Sequence, residues 1–290
     1  MGDPHMFLVA GGDSEIGTSL AAHLRQRQRP VVVTTRRRDR VGADRTLLDL
    51  EGDLSRWDPP PGVTAAIICA AVARPADCAA DPAMSARINI TGTLALAERL
   101  IARGVYLLFL SACRVFDGLA PNMRADAPTA PVSEYGKQKA RTEAALRAQI
   151  ARGAPVGILR LAKVVSPQNS LLNDWVATLT AGKPIRPFHD MTMAPAPMNA
   201  VVRAIEALMA DRATGVFQLS GPRDVTYEEV GRFLAERLGV DPELVVPSSV
   251  KKAGLPIAPV HTTLDSSALR ERYGIVVPDA WEVLDAVLQS

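Results

Sequence analysis

Wholly apolar runs alternate with amphipathic stretches up to about residue 165. Phe7-Leu8-Val9-Ala10 is a short apolar run that ends in glycines. From Ile16 to Arg27 the apolar positions take helical spacing, with Ile16, Leu20 and Leu24 on one face. Val31-Val32-Val33-Thr34-Thr35 is the next β-branched run, Thr46-Leu47-Leu48 a weaker third, and Ala65-Ala66-Ile67-Ile68 a fourth. Asp81-Pro82 supplies an N-cap and a first-turn proline for a helix expected to reach about Arg103. Val105 to Leu110 predicts a fifth strand, Ser133 caps a helix to about Ala151, and Val156 to Leu159 predicts a sixth strand. Strands that are apolar throughout and alternate with helices predict a parallel sheet covered on both faces.

Beyond about residue 165 the pattern loosens. Prolines crowd the segment holding Pro184, Pro187, Pro195 and Pro197. Thr226-Tyr227-Glu228-Glu229 reads as a capping box opening a helix that carries Val230, Phe233, Leu234 and Leu238. The expected fold is α/β. A Rossmann-type doubly wound parallel sheet occupies residues 6–165. A smaller C-terminal α/β substrate lobe occupies residues 166–290, interleaved with the first and packed against it.

The chain has 290 residues, 48% of them hydrophobic, enough for a large core. Its 33 basic and 31 acidic residues leave a net charge of +2, which argues against bulk nucleic-acid or anionic-membrane binding. No apolar run approaches the roughly 18 residues that span a bilayer, and no signal-peptide pattern is seen, so the expected location is the cytoplasm. The opening Met1 to His5 is expected to be an appended leader and takes no part in the fold reasoning. Cys69, Cys78 and Cys113 form no C-x-x-C pair and no cluster with histidine, so neither a metal site nor a disulfide framework is expected.

The turn after the first strand reads Ala10-Gly11-Gly12-Asp13-Ser14-Glu15-Ile16-Gly17. Gly11 and Gly17 have the spacing of the outer glycines in G-x-x-G-x-x-G, with Ser14 at the central position. Such a turn brings a dinucleotide pyrophosphate to the free N–H groups of a helix N-terminus. Gly11, Asp13, Ser14, Glu15 and Ile16 are therefore candidate cofactor contacts. The second strand runs into Arg36-Arg37 where an acidic residue would select NAD, so a 2′-phosphate and NADP are preferred, with NAD the alternative. Arg38 and Arg40 read as a solvated basic turn. Asp49 and Leu50 end the third strand within reach of the adenine. Ala70, Ala71 and Val72 end the fourth and let a dinucleotide lie against the backbone.

Tyr135 and Lys139 form Tyr-x-x-x-Lys at the start of a helix, which places both on one face. An ammonium beside a phenol lowers the phenol's pKa and can hold the nicotinamide ribose. The phenol can then protonate a carbonyl oxygen as hydride arrives.

Ser111-Ala112-Cys113-Arg114-Val115-Phe116-Asp117-Gly118 resembles the S-T-D-Y-V-F-D-G of the dTDP-4-dehydrorhamnose reductase-like branch of the extended short-chain dehydrogenases. Ala70-Ala71 and Asn89 match its A-A and V-N segments, and Tyr135 and Lys139 its catalytic pair. Gly215 to Gly221 and Leu264 to Gly274 resemble its C-terminal lobe. The resemblance spans nearly the whole chain. It implies reduction of a nucleotide-linked 4-keto-sugar by NADPH, in polysaccharide or natural-product biosynthesis, with the nucleotide sugar in the cleft between the lobes.

Three departures from that pattern matter. Ala112 stands where the family has a catalytic Thr or Ser, Cys113 where it has Asp, and Lys163 where it has an aromatic residue. Ala112, Cys113 and Lys163 are thus candidate substrate neighbours. Ser111, on the opposite face of its strand, is counted with the cofactor contacts, as is Lys139. His189-Asp190 lies in the proline-rich segment; Asp190 is a candidate for the cleft wall, with an ordinary loop pair the plainer reading. Trp175 and Met191 to Met193 are expected to pack the lobe interface, and His261 shows no partner in the sequence. Two further functions stay open: an epimerase or dehydratase of a nucleotide sugar, and a non-catalytic dinucleotide-binding subunit. The regulatory subunit of methionine adenosyltransferase resembles the same family, and Ala112 keeps that second option in view. Any assembly is expected to be a homodimer.

Overall fold

A computed structural model describes residues 6–253 and 258–289; the Met1 to His5 segment, expected to be appended, lies outside the described residues. The first run is β1 (Met6–Ala10), followed by α1 (Glu15–Gln26), β2 (Val31–Thr35), β3 (Arg45–Leu47) and β4 (Val63–Ile68). Next come α2 (Pro75–Ala80), α3 (Pro82–Ala86), a π-helical turn (Arg87–Gly92) and α4 (Thr93–Ala102). β5 (Tyr106–Ala112) leads through a 3-10 turn (Cys113–Val115) to α5 (Glu134–Ala151), β6 (Val156–Leu161) and β7 (Val164–Val165).

The segment expected to be one helix up to Arg103 is broken at Arg87–Gly92. Gly92 lies so close to the end of the β3 segment that a Cβ there would stand 1.9 Å from the Leu50 carbonyl. The wider π turn accommodates that approach and sets Asn89 facing inward, 1% exposed.

The rest of the chain forms α6 (Ser170–Thr180), β8 (Thr192–Met193), β9 (Ala196–Pro197), α7 (Met198–Ala210), β10 (Gly215–Leu219), β11 (Val225–Thr226), α8 (Tyr227–Leu238), α9 (Ser267–Tyr273) and α10 (Ala280–Leu288). Seven strands pair in the order β10-β6-β5-β4-β1-β2-β3, and every pairing in this sheet is parallel. The order reverses between β1 and β4, which opens a crevice at their carboxyl ends.

Alternate side chains of each strand feed two cores. Phe7, Val9 and Leu108 pack with Leu20 and Leu24 of α1 and Val201 and Ile205 of α7. Leu8, Leu107 and Phe109 pack with Leu96 and Leu100 of α4 and Leu146 of α5. A third core in the second lobe joins Leu172, Leu179, Val230, Leu234, Val283 and Leu284. A single boundary at residue 165 does not describe this arrangement. α7 and β10 lie beyond it, yet they complete the first lobe: β10 pairs with β6 from Gly215↔Gly157 to Leu219↔Leu161. The capping box at Thr226 and Glu229 is present as expected.

Candidate active site

The turn after β1 is shaped by three close approaches. Gly11 takes φ +99°, and a Cβ on it would stand 2.5 Å from the Ala70 nitrogen. A Cβ on Gly17 would meet the Gly11 carbonyl at 2.2 Å. Ser14 caps α1: its hydroxyl donates to the Gly11 carbonyl (2.7 Å) and accepts from the Gly17 N–H (3.1 Å). The serine at the middle position thus closes the turn from within. It leaves the first-turn N–H groups of Glu15 and Ile16 outside the helix's own bonding, ready for an anion. A cavity of about 320 Å³ opens over this turn and includes Gly11, Asp13, Ser14, Ala70, Ala71 and Val72 in its walls. Bare backbone at the turn and small side chains opposite fit a dinucleotide laid against them.

At the far end the cavity reaches Thr35, Arg36, Arg37, Asp49 and Leu50. Asp13 accepts from the Thr35 hydroxyl and from Arg45 (2.7 Å) and Arg40 (3.2 Å). Burial pushes its carboxyl pKa up, but these partners outweigh it and hold the pKa below the usual carboxylate value. Arg40 is exposed, as expected of a solvated turn, and also pairs with Asp13. Arg37 pairs loosely with Asp39 (3.4 Å), whereas Arg36 has no ion pair among the described residues. Asp49 remains exposed on the rim, accepting from the Glu51 N–H at 3.1 Å.

The catalytic candidates sit on the first turns of α5, which begins at the Ser133 cap; the Ser133 hydroxyl accepts from the Gly136 N–H at 3.1 Å. Lys139 is buried, and its ammonium donates to the Leu110 carbonyl at 2.8 Å. The same ammonium lies 4.6 Å from the Phe109 ring centre and 5.8 Å from that of Tyr135. Burial pulls the Lys139 pKa down to about 8, against opposing charge from Cys69 and Glu143. The Tyr135 phenol behaves contrary to expectation: burial raises its pKa, only partly offset by the positive charge of Arg114. Tyr135 is thus held protonated, so it carries a proton to give, but burial alone makes it a weaker acid than a free phenol.

A buried polar network ties this helix to the cofactor wall. Asn89 Nδ2 donates to Gln138 Oε1 (2.8 Å) and to the Val72 carbonyl (3.0 Å), and Asn89 Oδ1 accepts from the Val72 N–H (2.9 Å). Gln138 in turn donates to the Ser85 hydroxyl at 2.8 Å. Asn89 belongs to a family motif; Gln138 fills a variable position inside Tyr-x-x-x-Lys and Ser85 lies outside any motif, so neither is marked by a pattern of its own.

β5 and β6 run side by side in register Ala112↔Leu161, so Ala112, Cys113 and Lys163 leave neighbouring strand ends. Burial raises the Cys113 thiol to about 11, leaving it uncharged. Burial also lowers the Lys163 ammonium, with Glu15 opposing that shift and Arg114 adding to it. Arg114, which stands where the resembled motif has Tyr, is not among the candidates read from the sequence, yet its charge reaches Tyr135, Lys163 and Tyr227. Ser111 is 4% exposed, and its hydroxyl is the buried side-chain polar atom left without a partner among the described residues.

Asp190, a candidate for the cleft wall, holds a turn together. Its carboxylate accepts from the Val250 N–H at 2.9 and 3.2 Å, and no contact joins it to Tyr135. His261 has a partner that the sequence does not disclose, Asp224 at 3.2 Å. Trp175 meets the Tyr227 ring edge-on, with centres 6.2 Å apart, inside the second lobe. No helix among the described residues is long and apolar enough to cross a membrane.

Comparison with known proteins gives a consistent result. A dTDP-4-keto-6-deoxy-D-glucose reductase of Streptomyces niveus is 28% identical over 268 residues, covering 91% of this chain and 90% of the relative. A probable low-salt glycan biosynthesis reductase of Haloferax volcanii is 29% identical over 230 residues, covering 76% and 75%. The methionine adenosyltransferase 2 subunit beta of Xenopus laevis is 27% identical over 219 residues, covering 72% of this chain and 64% of that protein. The fold is shared with a dTDP-4-dehydrorhamnose reductase from Clostridium acetobutylicum (TM-score 0.85, 20% identity, 98% of each chain). It is also shared with MoeE5 bound to UDP-glucose and NAD (TM-score 0.81, 24% identity, 98% and 97%). The RmlD substrate-binding domain family matches residues 5–290, and this chain belongs to it.

Proposed function

We propose that this protein is an oxidoreductase that reduces the keto group of a sugar carried on a nucleoside diphosphate, with NADPH as the preferred reductant. The observation that carries the reading is the Lys139 ammonium pinned to the Leu110 carbonyl beside Tyr135, at the crevice where the sheet order reverses. The names of the reductases from Streptomyces niveus and Haloferax volcanii support it.

The residues divide the work. The turn at Gly11 and the N-terminus of α1 receive the pyrophosphate, and Arg36 with Arg37 receives the 2′-phosphate. Bound NADPH supplies hydride. Charged Lys139 donates to a ribose hydroxyl, and the protonated Tyr135 phenol gives its proton to the sugar carbonyl oxygen as that oxygen gains charge. The near-neutral charge and three free thiols support a reducing, cytosolic setting.

Ala112 favours a second reading, a dinucleotide-binding subunit without turnover; one relative is named as a subunit, the methionine adenosyltransferase 2 subunit beta. Purified protein mixed with NADPH and a panel of 4-keto nucleotide sugars separates the two. Substrate-dependent loss of NADPH absorbance is expected; tight NADPH binding with no turnover on any member would favour the subunit.

A further inference from the structure

Two cations that form no ion pair with a described residue stand at the mouths of neighbouring strands. Parallel neighbours run about 4.8 Å apart, and β5 and β6 are in register at Ala112↔Leu161. Two residues beyond each of these partners come Arg114 and Lys163, both half-buried. Neither side chain makes a hydrogen bond or ion pair with a described residue. Arg114 is tied to the catalytic helix, because a Cβ on Gly136, next to Tyr135, would lie 2.1 Å from the Arg114 carbonyl. The nearby acids are engaged elsewhere. Glu15 accepts from the Ser166 hydroxyl, and Asp224 accepts from Thr262 and Thr263 and contacts His261. Cys113, between the two strand ends, is an uncharged thiol.

A half-buried cation gives up hydration, and Glu15 returns only part of that to Lys163, while Arg114 repels it. Such a pair at a reaction centre is a receptor for an anion. We propose, on the reading of a nucleotide-sugar reductase given above, that the substrate carries a carboxylate on the sugar itself, held by Arg114 and Lys163 beside the carbonyl that Tyr135 protonates. The planar guanidinium suits a carboxylate's two oxygens. The substrate's diphosphate offers the same chemistry. The position of the cations beside Tyr135, at the reacting end of the sugar, favours the carboxylate.

The test measures calorimetric affinities of UDP-glucuronate, UDP-glucose and UDP, and of the thymidine counterparts, for the NADPH-loaded protein. Wild type should bind the glucuronate at least about tenfold more tightly than the glucose, the size of one charge-assisted contact. Arg114→Met with Lys163→Met should bring that ratio to about one, and Arg114→Lys should keep most of it. Retained NADPH binding shows that each variant is folded. A ratio near one in wild type, with both sugars bound, overturns the proposal and leaves the reductase reading standing. Equal weakening of both sugars and the bare diphosphate in the double variant assigns the cations to the diphosphate and overturns it as well. Loss of NADPH affinity in a double variant whose circular dichroism and melting match wild type assigns them to the cofactor and also overturns it. In a double variant that fails to fold, the single Arg114→Lys and Lys163→Met variants decide by the same ratio. Failure of every nucleotide ligand to bind removes the reductase reading, and the proposal with it.

Discussion

Lys139 donates to the Leu110 carbonyl across 2.8 Å, which fixes the catalytic helix to the strand whose next residues are Ser111 and Ala112. The lysine cannot swing freely, and its ammonium is held in a buried place where charge is costly.

That cost sets a pH dependence. In the fold the Lys139 pKa lies at about 8, against an ordinary 10.5. Below pH 8 the residue is charged in both folded and unfolded chains. Between about 8 and 10.5 the unfolded chain holds a proton that the folded one has released, so stability rises with pH across this window. The charged form needed at the ribose is lost over the same window. The kcat/KM for NADPH should therefore fall above about pH 8, while thermal stability gains relative to Lys139→Met. Identical stability profiles for wild type and variant would contradict this.

Arg160 and Glu143 are 0% and 1% exposed at their side chains and meet at 2.7 Å, with Gln218 (3.1 Å) completing the guanidinium's bonding. The cluster joins α5, β6 and β10. Glu143→Ala should destabilise by about 3–5 kcal/mol, since it strands a buried cation. Replacing the pair with Met and Leu should cost less. Urea denaturation measures both, and a loss below about 1 kcal/mol for Glu143→Ala would contradict the buried-pair account.

Arg36 is free while Arg40 is committed to Asp13, so the two should differ in cofactor choice. Arg36→Ala should reduce the preference for NADPH over NADH by roughly tenfold, the size of one charge-assisted phosphate contact. Arg40→Ala should leave the ratio within about threefold, because its charge is already matched. Fluorescence titration of both cofactors decides it; equal wild-type affinities for the two would refute the assignment.

The sheet, the glycine turn and the Tyr-x-x-x-Lys helix are legible in the sequence because each is written in local spacing. Val31 to Thr35 can only be a buried strand, and Ser133 marks the start of α5. Other features depend on contacts between distant segments. The return of β10 to β6 cannot be seen in either strand alone. The Asn89–Gln138 bond joins residues 49 apart in the chain, and Asp13 meets Arg45 across 32. Asp190 resembles a cleft residue because its loop is polar and proline-rich, but the Val250 N–H claims it. Arg114 departs visibly from the motif's Tyr, but that it forms no ion pair among the described residues only the fold can show.

Ala112 has extended backbone (φ −141°, ψ 156°) that a β-branched residue adopts readily. A missing donor to a developing oxyanion typically slows a reaction about 10²–10³-fold. Ala112→Thr should therefore raise kcat if the site handles an ordinary keto-sugar. If the Arg114–Lys163 pair serves a carboxylate there, the substitution should instead weaken selection of the charged sugar. A variant unchanged in both respects would show that residue 112 does not meet the substrate.

The central claim is hydride transfer to a sugar carbon, with the proton coming from Tyr135. Its most direct test uses NADPH deuterated at the transferred position, with keto nucleotide sugars both neutral and carboxylated, followed by NMR of the products. Wild type should place deuterium on the former carbonyl carbon, and Tyr135→Phe, still binding NADPH, should place almost none. Deuterium in no product from wild type, or equal incorporation by Tyr135→Phe, would contradict the account.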